Sequence, residues 1–499
     1  MNALEQDALE VLSLLRSVSN SFAPVNRIPP EIISLTLDYY DEGGTDQDLI
    51  ALTHVCRGWR NMFISRPSLW THLDFTNVDK TRTYVQRSRS SPLEIYLERD
   101  QDDTHDDALL LVAPHIRRLR SLTVRGDFSP NILKHFDYPA PHLEKLCIDL
   151  FTPDAPILDS ALFGGDLSSL RELSLGGVVT TLPWNSLPNL TTFELTSCPP
   201  GSNTVTQLLK FFKCAPLLSA VTLKHSIPTS SNAPPGRKVS LPRLKTLVII
   251  AHPAHSILLN HLHIPTGASL ILRLGLNGDA SPLQSCLPET LANLGNLSHI
   301  TTISLRSGTM QKYMRLSGPS SELCIRAHLV GNTISSWAVD RPTLRSLPCP
   351  ILSTTKRLQI SRYKPLRSDE VDTYMVFRTL SPTLKLRILI LTECSNLPFI
   401  LALNSKKNSS KLVACPDLEE LALCVGSRDQ FLIKYLLGMA KERASRGVKL
   451  SSITIVGLGE LVPGKEVFKL REHVTRVDYR VDNAPPNLDH LHECADEGE

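Results

Sequence analysis

The sequence predicts an α/β chain in which an N-terminal three-helix module precedes a solenoid of short parallel strands alternating with helices or loops. Three observations carry this expectation. Between residues 4 and 63 apolar residues recur at spacings of three and four, the period of one helix face. From residue 93 to residue 474 apolar triplets recur about every 27 residues, irregular in step but persistent. Finally, 499 residues exceed what one hydrophobic core usually supports, which leaves several domains or an extended repeat.

Residues 1–23 are expected to form an amphipathic helix, because Leu4, Ala8, Val11, Leu15 and Val18 fall on one face. Two heptads are too few to sustain a supercoil, so the helix is expected to pack on its own domain. Residues 24–75 then read as a helical module. The paired prolines of VNRIPPEIISLTLDYY preset a helix start, with Ile32, Leu35 and Tyr39 recurring behind them. After the DEGG turn, Thr45 and Asp48 have the spacing of a capping box. It would open a helix through Leu49, Leu52, Val55 and Cys56 that leads on to Trp59, Met62 and Phe63, and Pro67 stops it. A connector over 76–92 leads into the solenoid, 93–483, and the acidic tail 484–499 is polar enough to be disordered.

Three pieces of the helical module are specific in sequence. Ile-Pro-Pro-Glu-Ile from Ile28, Asp-Leu-x-x-Leu-x-x-Val-Cys-Arg-x-Trp-Arg from Asp48 and Ser-Leu-Trp from Ser68 together resemble an F-box, in the form common in fungal proteins. The resemblance implies a compact three-helix unit that docks on the Skp-type linker of a cullin-based SCF ubiquitin ligase, while the rest of the chain holds a substrate. It places Ile28 and Pro29 at the family's leading Leu-Pro, and Ile32, Leu52, Val55, Cys56 and Trp59 at its apolar positions. Ile28 stands where leucine is usual, and EGGTDQ lengthens the first interhelix loop. Physically, a unit of about 45 residues cannot bury enough apolar surface to be secure alone, so part of it should be covered by another chain or domain. On this ground Trp59 is expected at the partner interface and Trp70, at the module's exit, in the chain's own core.

Triplets of the form L-x-x-L-x-L begin at Leu119, Leu143, Leu170, Leu190, Leu218, Leu244, Ile300, Leu386, Leu418, Leu450 and Val474, with looser versions near Leu93, Leu270, Leu323 and Thr355. The longer pattern, proline two residues before the first leucine, occurs as PHLEKLCI, PNLTTFEL, PLLSAVTL, PRLKTLVI and PDLEELAL, against about half an occurrence by chance. Two triplets extend to a cysteine, Cys198 and Cys394, at the Asn/Cys position of a leucine-rich repeat, so the region resembles a degenerate leucine-rich-repeat solenoid. Each unit would supply a strand whose leucines only stacked neighbours can bury. Proline would suit the start of a strand because it donates no ladder hydrogen bond. The outward positions then form the candidate target-reading face: Arg171, Glu172, Thr191, Glu194, Lys245 and Glu419.

Composition closes off other classes. A net charge of +3 predicts no broad affinity for nucleic acid or an anionic membrane. The chain has no apolar run of 18 residues and begins MNALEQDALE rather than with a basic and then apolar signal, which predicts a cytoplasmic or nuclear protein. Eleven cysteines, odd in number and without a C-x-x-C pair, are expected to be reduced thiols. His252, His255, His261 and His263 cluster without the helix-borne spacing of a zinc site, HLHEC lies in the tail, and GLGE lacks the third glycine of a dinucleotide fingerprint. No cofactor, metal or catalytic residue is therefore expected. The function expected is a non-catalytic substrate adaptor of an SCF-type ligase, with a Skp-type linker, a cullin and a protein target as partners. The alternative is a leucine-rich-repeat interaction scaffold outside ubiquitination, in which the box only caps the solenoid.

Overall fold

In the computed structural model the described residues are 3–29, 31–33, 46–98, 105–128, 130–151, 155, 157–158, 162–180, 187–197, 204–226, 238–251, 258–277, 287–288, 291–307, 311–319, 321–330, 349–361, 385–392, 396–404, 413–425, 430–458 and 465–482. They form two compact units, Met1–Leu190 and Thr191–Glu499. The sequence reading instead treats everything from 93 to 483 as one region.

The first unit opens with α1 (Ala3–Ser21) and a 3-10 turn, Pro24–Arg27. Helix α1 forms, but Leu9, Val11, Leu12, Leu14, Leu15 and Val18 stay exposed, so it is not packed into its own domain as the sequence suggests. A helical turn starts at Pro29, whose carbonyl accepts from the amides of Ile32 and Ile33. Helices α2 (Asp46–His54) and α3 (Arg57–Ile64) follow, then a 3-10 turn at Pro67–Trp70. The expected continuous helix is thus broken. Cys56 is extended, with φ −158° and ψ 170°, and its sulfur accepts from the Trp59 amide as the cap of α3. A cap residue cannot also be helical, which is why spacing alone ran through it. The Thr45 half of the capping box lies outside the described residues.

The segment read as a connector carries α4 (Val78–Arg87), capped by the Asn77 side chain accepting from the amides of Asp79 and Lys80. This helix completes a small core. Trp70 has no exposed surface, stands edge-on to Tyr84 at 5.0 Å, lies 4.3 Å from the Arg87 guanidinium and donates its indole N–H to the Phe63 carbonyl at 2.9 Å.

Strands β1 (His72–Leu73), β2 (Leu93–Glu98), β3 (Leu119–Gly126), β4 (Lys145–Leu150) and β5 (Glu172–Gly176) then pair in chain order, all parallel. The triplets set the register. Ile95, Leu122, Leu146 and Leu173 stand opposite one another, as do Leu97, Val124, Ile148 and Leu175, and all eight are buried. Alternate residues of a strand face opposite sides, so one face of the sheet is continuous core.

The second unit contains β6 (Thr192–Thr196), β7 (Ala220–Lys224), β8 (Thr246–Ala251), β9 (Ser269–Asn277), β10 (Thr302–Ser307), β11 (Gln311–Ser317), β12 (Glu322–Val330), β13 (Arg357–Ser361), β14 (Ile388–Thr392), β15 (Glu420–Val425), β16 (Ser452–Leu458) and β17 (Arg476–Asp482). From β6 to β9 and from β13 to β17 the strands again pair in parallel and in chain order. Between these runs the order inverts. Strand β9 pairs with β12, β12 with β11, β11 with β10 and β10 with β13, the two pairings of β11 being antiparallel. The triplets at Ile300 and Leu323 are therefore not successive rungs after Leu270, as their order in the chain suggests. A triplet says that a strand has an inner face; it does not say which strand lies beside it.

The role expected of proline also changes. In all five P-x-L motifs the leucine amide closes a turn on the residue before the proline: Leu143 on Ala140, Leu190 on Leu187, Leu218 on Ala215, Leu244 on Leu241 and Leu418 on Cys415. Proline sits second in a β-turn, where its fixed φ is already correct, rather than at the start of a strand.

Helices of the second unit cover the buried face at points. Helix α5 (Val205–Cys214), with a Thr204/Gln207 capping box, sets Phe211 against Phe193 at 4.4 Å between ring centres. Helix α6 (Gln430–Ser445) sends fully buried Arg443 to the turn before β15, donating to the carbonyls of Ala414 at 2.8 Å and Cys415 at 2.9 Å. Among the described residues no helix is long and apolar enough to cross a membrane, and no group of three or more His, Cys, Asp or Glu is placed to hold a metal ion. His252, His255 and the tail 484–499 lie outside the described residues.

Candidate partner-binding surface

The residues at F-box positions come from three local structures: the chain after the Pro24–Arg27 turn, the end of α2, and α3 with its cap. Apolar side chains that the local core cannot reach remain in solvent. Ile28 is 39% exposed, Ile32 48% and Val55 52%, whereas the neighbouring Ile33, Leu49 and Phe63 are buried. Pro29 is also exposed, and Leu52, Cys56 and Trp59 are half-buried. The same helices thus divide their apolar residues between an inward set and an outward set.

Trp59 is fixed by more than helix spacing. Its indole N–H donates to the Asn26 side-chain oxygen at 2.8 Å, and its ring lies 5.9 Å from that of Phe63. The Asn26 amide nitrogen in turn donates to the Asn20 carbonyl, so one side chain joins the end of α1 to α3. The Arg57 guanidinium donates to the Ser13 hydroxyl, a second tie to α1. Sequence reasoning assigned nothing to Asn26, whose partners lie 6 and 33 residues away. It also passed over Ile50, 40% exposed and next to buried Leu49. Spacing alone did not mark it, since an apolar helix face is wide enough for two adjacent residues, as with buried Phe211 and Phe212 in α5.

The outward residues of the sheets are less uniform. In the first unit charges pair from strand to strand: His72 with Glu94 at 3.0 Å, Arg120 with Glu144 at 3.0 Å and Lys145 with Glu172 at 3.3 Å. Accepting the His72 hydrogen bond holds the Glu94 carboxyl below its ordinary value against the opposing effect of burial, and Arg120 and Lys145 add to the effect. Of the candidate reading face, Arg171 and Glu172 belong to this unit and are exposed. In the second unit Thr191 and Lys245 sit on the same row of rungs, linked through Ser219 by amide-to-carbonyl bonds of 2.8 and 2.7 Å. Glu194 pairs with Lys224 at 2.7 Å and Glu419 with Arg387 at 3.8 Å. Seven strand positions separate Lys245 from Glu419, about 34 Å at the usual strand spacing. Within the second unit, Lys245 and Glu419 therefore do not share one patch.

Residues 25–76 match the family model of F-box-like domains. No curated protein sequence matches the chain. The family match ends between the turn that buries Trp70 and α4, so its span covers the exposed apolar residues and Trp70 but not Tyr84 and Arg87, which close the core around that ring.

Proposed function

We propose that the protein is a substrate-recognition adaptor of an SCF-type (Skp–cullin–F-box) ubiquitin ligase. Ile28, Pro29, Ile32, Leu52, Val55, Cys56 and Trp59 would hold the Skp-type linker, and the sheet-bearing region, a leucine-rich-repeat-like solenoid in this reading, would hold a protein target. One coincidence carries the proposal: the F-box-like match spans the segment whose isoleucines and valine are left in solvent. F-box domains in general bind Skp-type linkers, and an apolar set rimmed by polar residues is what such binding covers. The chain's own contribution is to position. Holding a target beside a conjugating enzyme on the same assembly raises the effective concentration of its lysines without a catalytic group in this subunit.

The alternative, a repeat scaffold outside ubiquitination, draws on α4, which packs Tyr84 on Trp70 and is bonded at Val85 and Ser88 by Arg118, the residue before β3, as an end cap would be tied. Two tryptophan variants separate the readings. Trp59→Ala, which truncates a half-buried ring at the outward surface, is expected to weaken binding of a purified Skp-type linker by about 2 kcal/mol or more, with a smaller loss of thermal stability. Trp70→Ala is expected to cost about 3 kcal/mol of stability, as aromatic truncation in a core does. Calorimetric titration of the linker and thermal melting of both variants read the outcome. Linker binding that is absent, or untouched by Trp59→Ala, would leave only the cap.

A further inference from the structure

Within the second unit a cleft of about 880 Å³ runs along the leading ends of β10, β13, β14 and β15 and reaches the segment before β16. Its size is that of a ligand site, but it is open to solvent along its length. The ionic groups in its wall are Lys356, Lys385, Arg387, Lys449, Asp417 and Glu419. They are held by the rungs themselves: the Arg387 amide donates to the Lys356 carbonyl at 2.8 Å and the Glu419 amide to the Arg387 carbonyl at 2.9 Å. Arg387 and Glu419 form an exposed ion pair at 3.8 Å. Lys356, Lys385 and Lys449 are exposed and, among the described residues, enter no ion pair, which leaves three cations facing one carboxylate, Asp417. Elsewhere on the outward rows Lys145, Lys224 and Arg120 each have a carboxylate on a neighbouring strand, while Lys245, like the three cleft lysines, has none among the described residues.

We propose that this cleft is the target-docking site and that it takes an extended, acidic segment of a protein. The inference rests on the adaptor reading only for the word target; the binding itself is a property of the cleft. The three lysines stand before β13, β14 and β16, three strand spacings or about 14 Å from end to end, and an extended peptide of four or five residues covers the same length. Alternate residues of such a peptide point to the same side, so two or three carboxylates meet the unpaired lysines while the intervening residues clear Asp417 and Glu419. A nucleic acid carries a charge at every phosphate and meets those two carboxylates with repulsion, which favours the peptide.

The test uses the full chain and a fluorescein-labelled octapeptide of alternating glutamate and serine, followed by anisotropy. Its glutamine counterpart and a labelled single-stranded oligonucleotide run beside it. The glutamate peptide is expected to bind more tightly than the glutamine peptide and to weaken with salt. The triple variant Lys356→Glu, Lys385→Glu, Lys449→Glu is expected to weaken it by about tenfold or more, three exposed charge contacts being lost and reversed. All three positions are exposed, and a Lys→Gln triple serves as a second variant if the first melts early. Absence of peptide binding, equal binding by wild type and variant, or tighter binding of the oligonucleotide at the same lysines overturns the assignment. Linker affinity measured on the same proteins keeps the two proposals apart: peptide failure with linker binding intact removes the cleft alone, and linker failure removes the adaptor reading while the peptide still decides the cleft.

Discussion

Asp74 shows how a single group can carry an acid limit for the junction between the helical module and the first strands. Burial acts to raise its carboxyl, but the Lys80 ammonium at 2.6 Å and the amide and hydroxyl of Thr76 outweigh it, so the group lies below its ordinary value of 3.8. A carboxyl depressed in the folded state stabilises it above the unfolded value and ceases to do so as pH falls through the folded value. Asp74→Asn is therefore expected to lower stability at neutral pH by about 0.5–1 kcal/mol, the pair being partly open to solvent. The deficit should shrink as the pH falls below 3.8. Melting curves of both proteins from pH 7 to pH 3 read it, and a deficit that grows in acid contradicts the assignment. Individual residues were legible in the sequence where burial pattern decided them, as with buried Trp70. They were not where a distant partner decided them: nothing near Asn26 announces Trp59, and nothing near Arg443 announces Ala414.

Elements were legible where one period persists and hidden where a cap interrupts it. The leucine columns followed from alternation, because a register slip of one residue would turn every inner leucine to solvent. The break at Cys56 was hidden, since apolar spacing continues across the cap. Helix α4 was hidden by its polar composition and announced only by the Asn77 cap. Turns are the other element that the sequence marked without explaining. The Cys415-Pro416-Asp417-Leu418 turn is held from behind by Arg443, and burial holds the Cys415 thiol up at about 12, so the thiol stays neutral beside the guanidinium. Arg443→Ala would leave the buried Ala414 carbonyl without its donor and the Cys415 carbonyl with only the Leu418 amide of the turn, at a cost of about 2–3 kcal/mol. Arg443→Lys, with one donor head in place of a fork, should lose less. Thermal melting ranks the three, and equal stability of wild type and Arg443→Ala would show that the turn stands without its support.

At the scale of the molecule, the cysteines give the simplest check. Cys56, Cys147, Cys214, Cys324, Cys415 and Cys424 are free thiols, four of them buried in the cores of their units. The odd number and spacing of all eleven cysteines predict reduced thiols throughout, so unfolding is expected to be indifferent to reductant, and a clear fall in melting temperature on adding dithiothreitol would reveal a cross-link that contributes to stability. The α/β class and the long, mostly parallel sheet were foreseeable because both follow from a repeated local pattern. The inversion at β10–β12 was not, since β11 carries no triplet and strand adjacency is a non-local property. That inversion also bears on how the chain is made. An ordinary rung meets its partner about 27 residues later, but Ser269 of β9 pairs with Glu322, 53 residues on, and Thr302 of β10 with Arg357, 55 residues on. At a synthesis rate of about 5–20 residues per second, the free edge of β9 waits about 3–10 s for its neighbour to leave the ribosome, roughly twice the wait of any ordinary rung. An unpaired strand edge is a template for other strands. The nascent chain is thus most open to a chaperone, or to a wrong partner, between the emergence of β9 and that of β13.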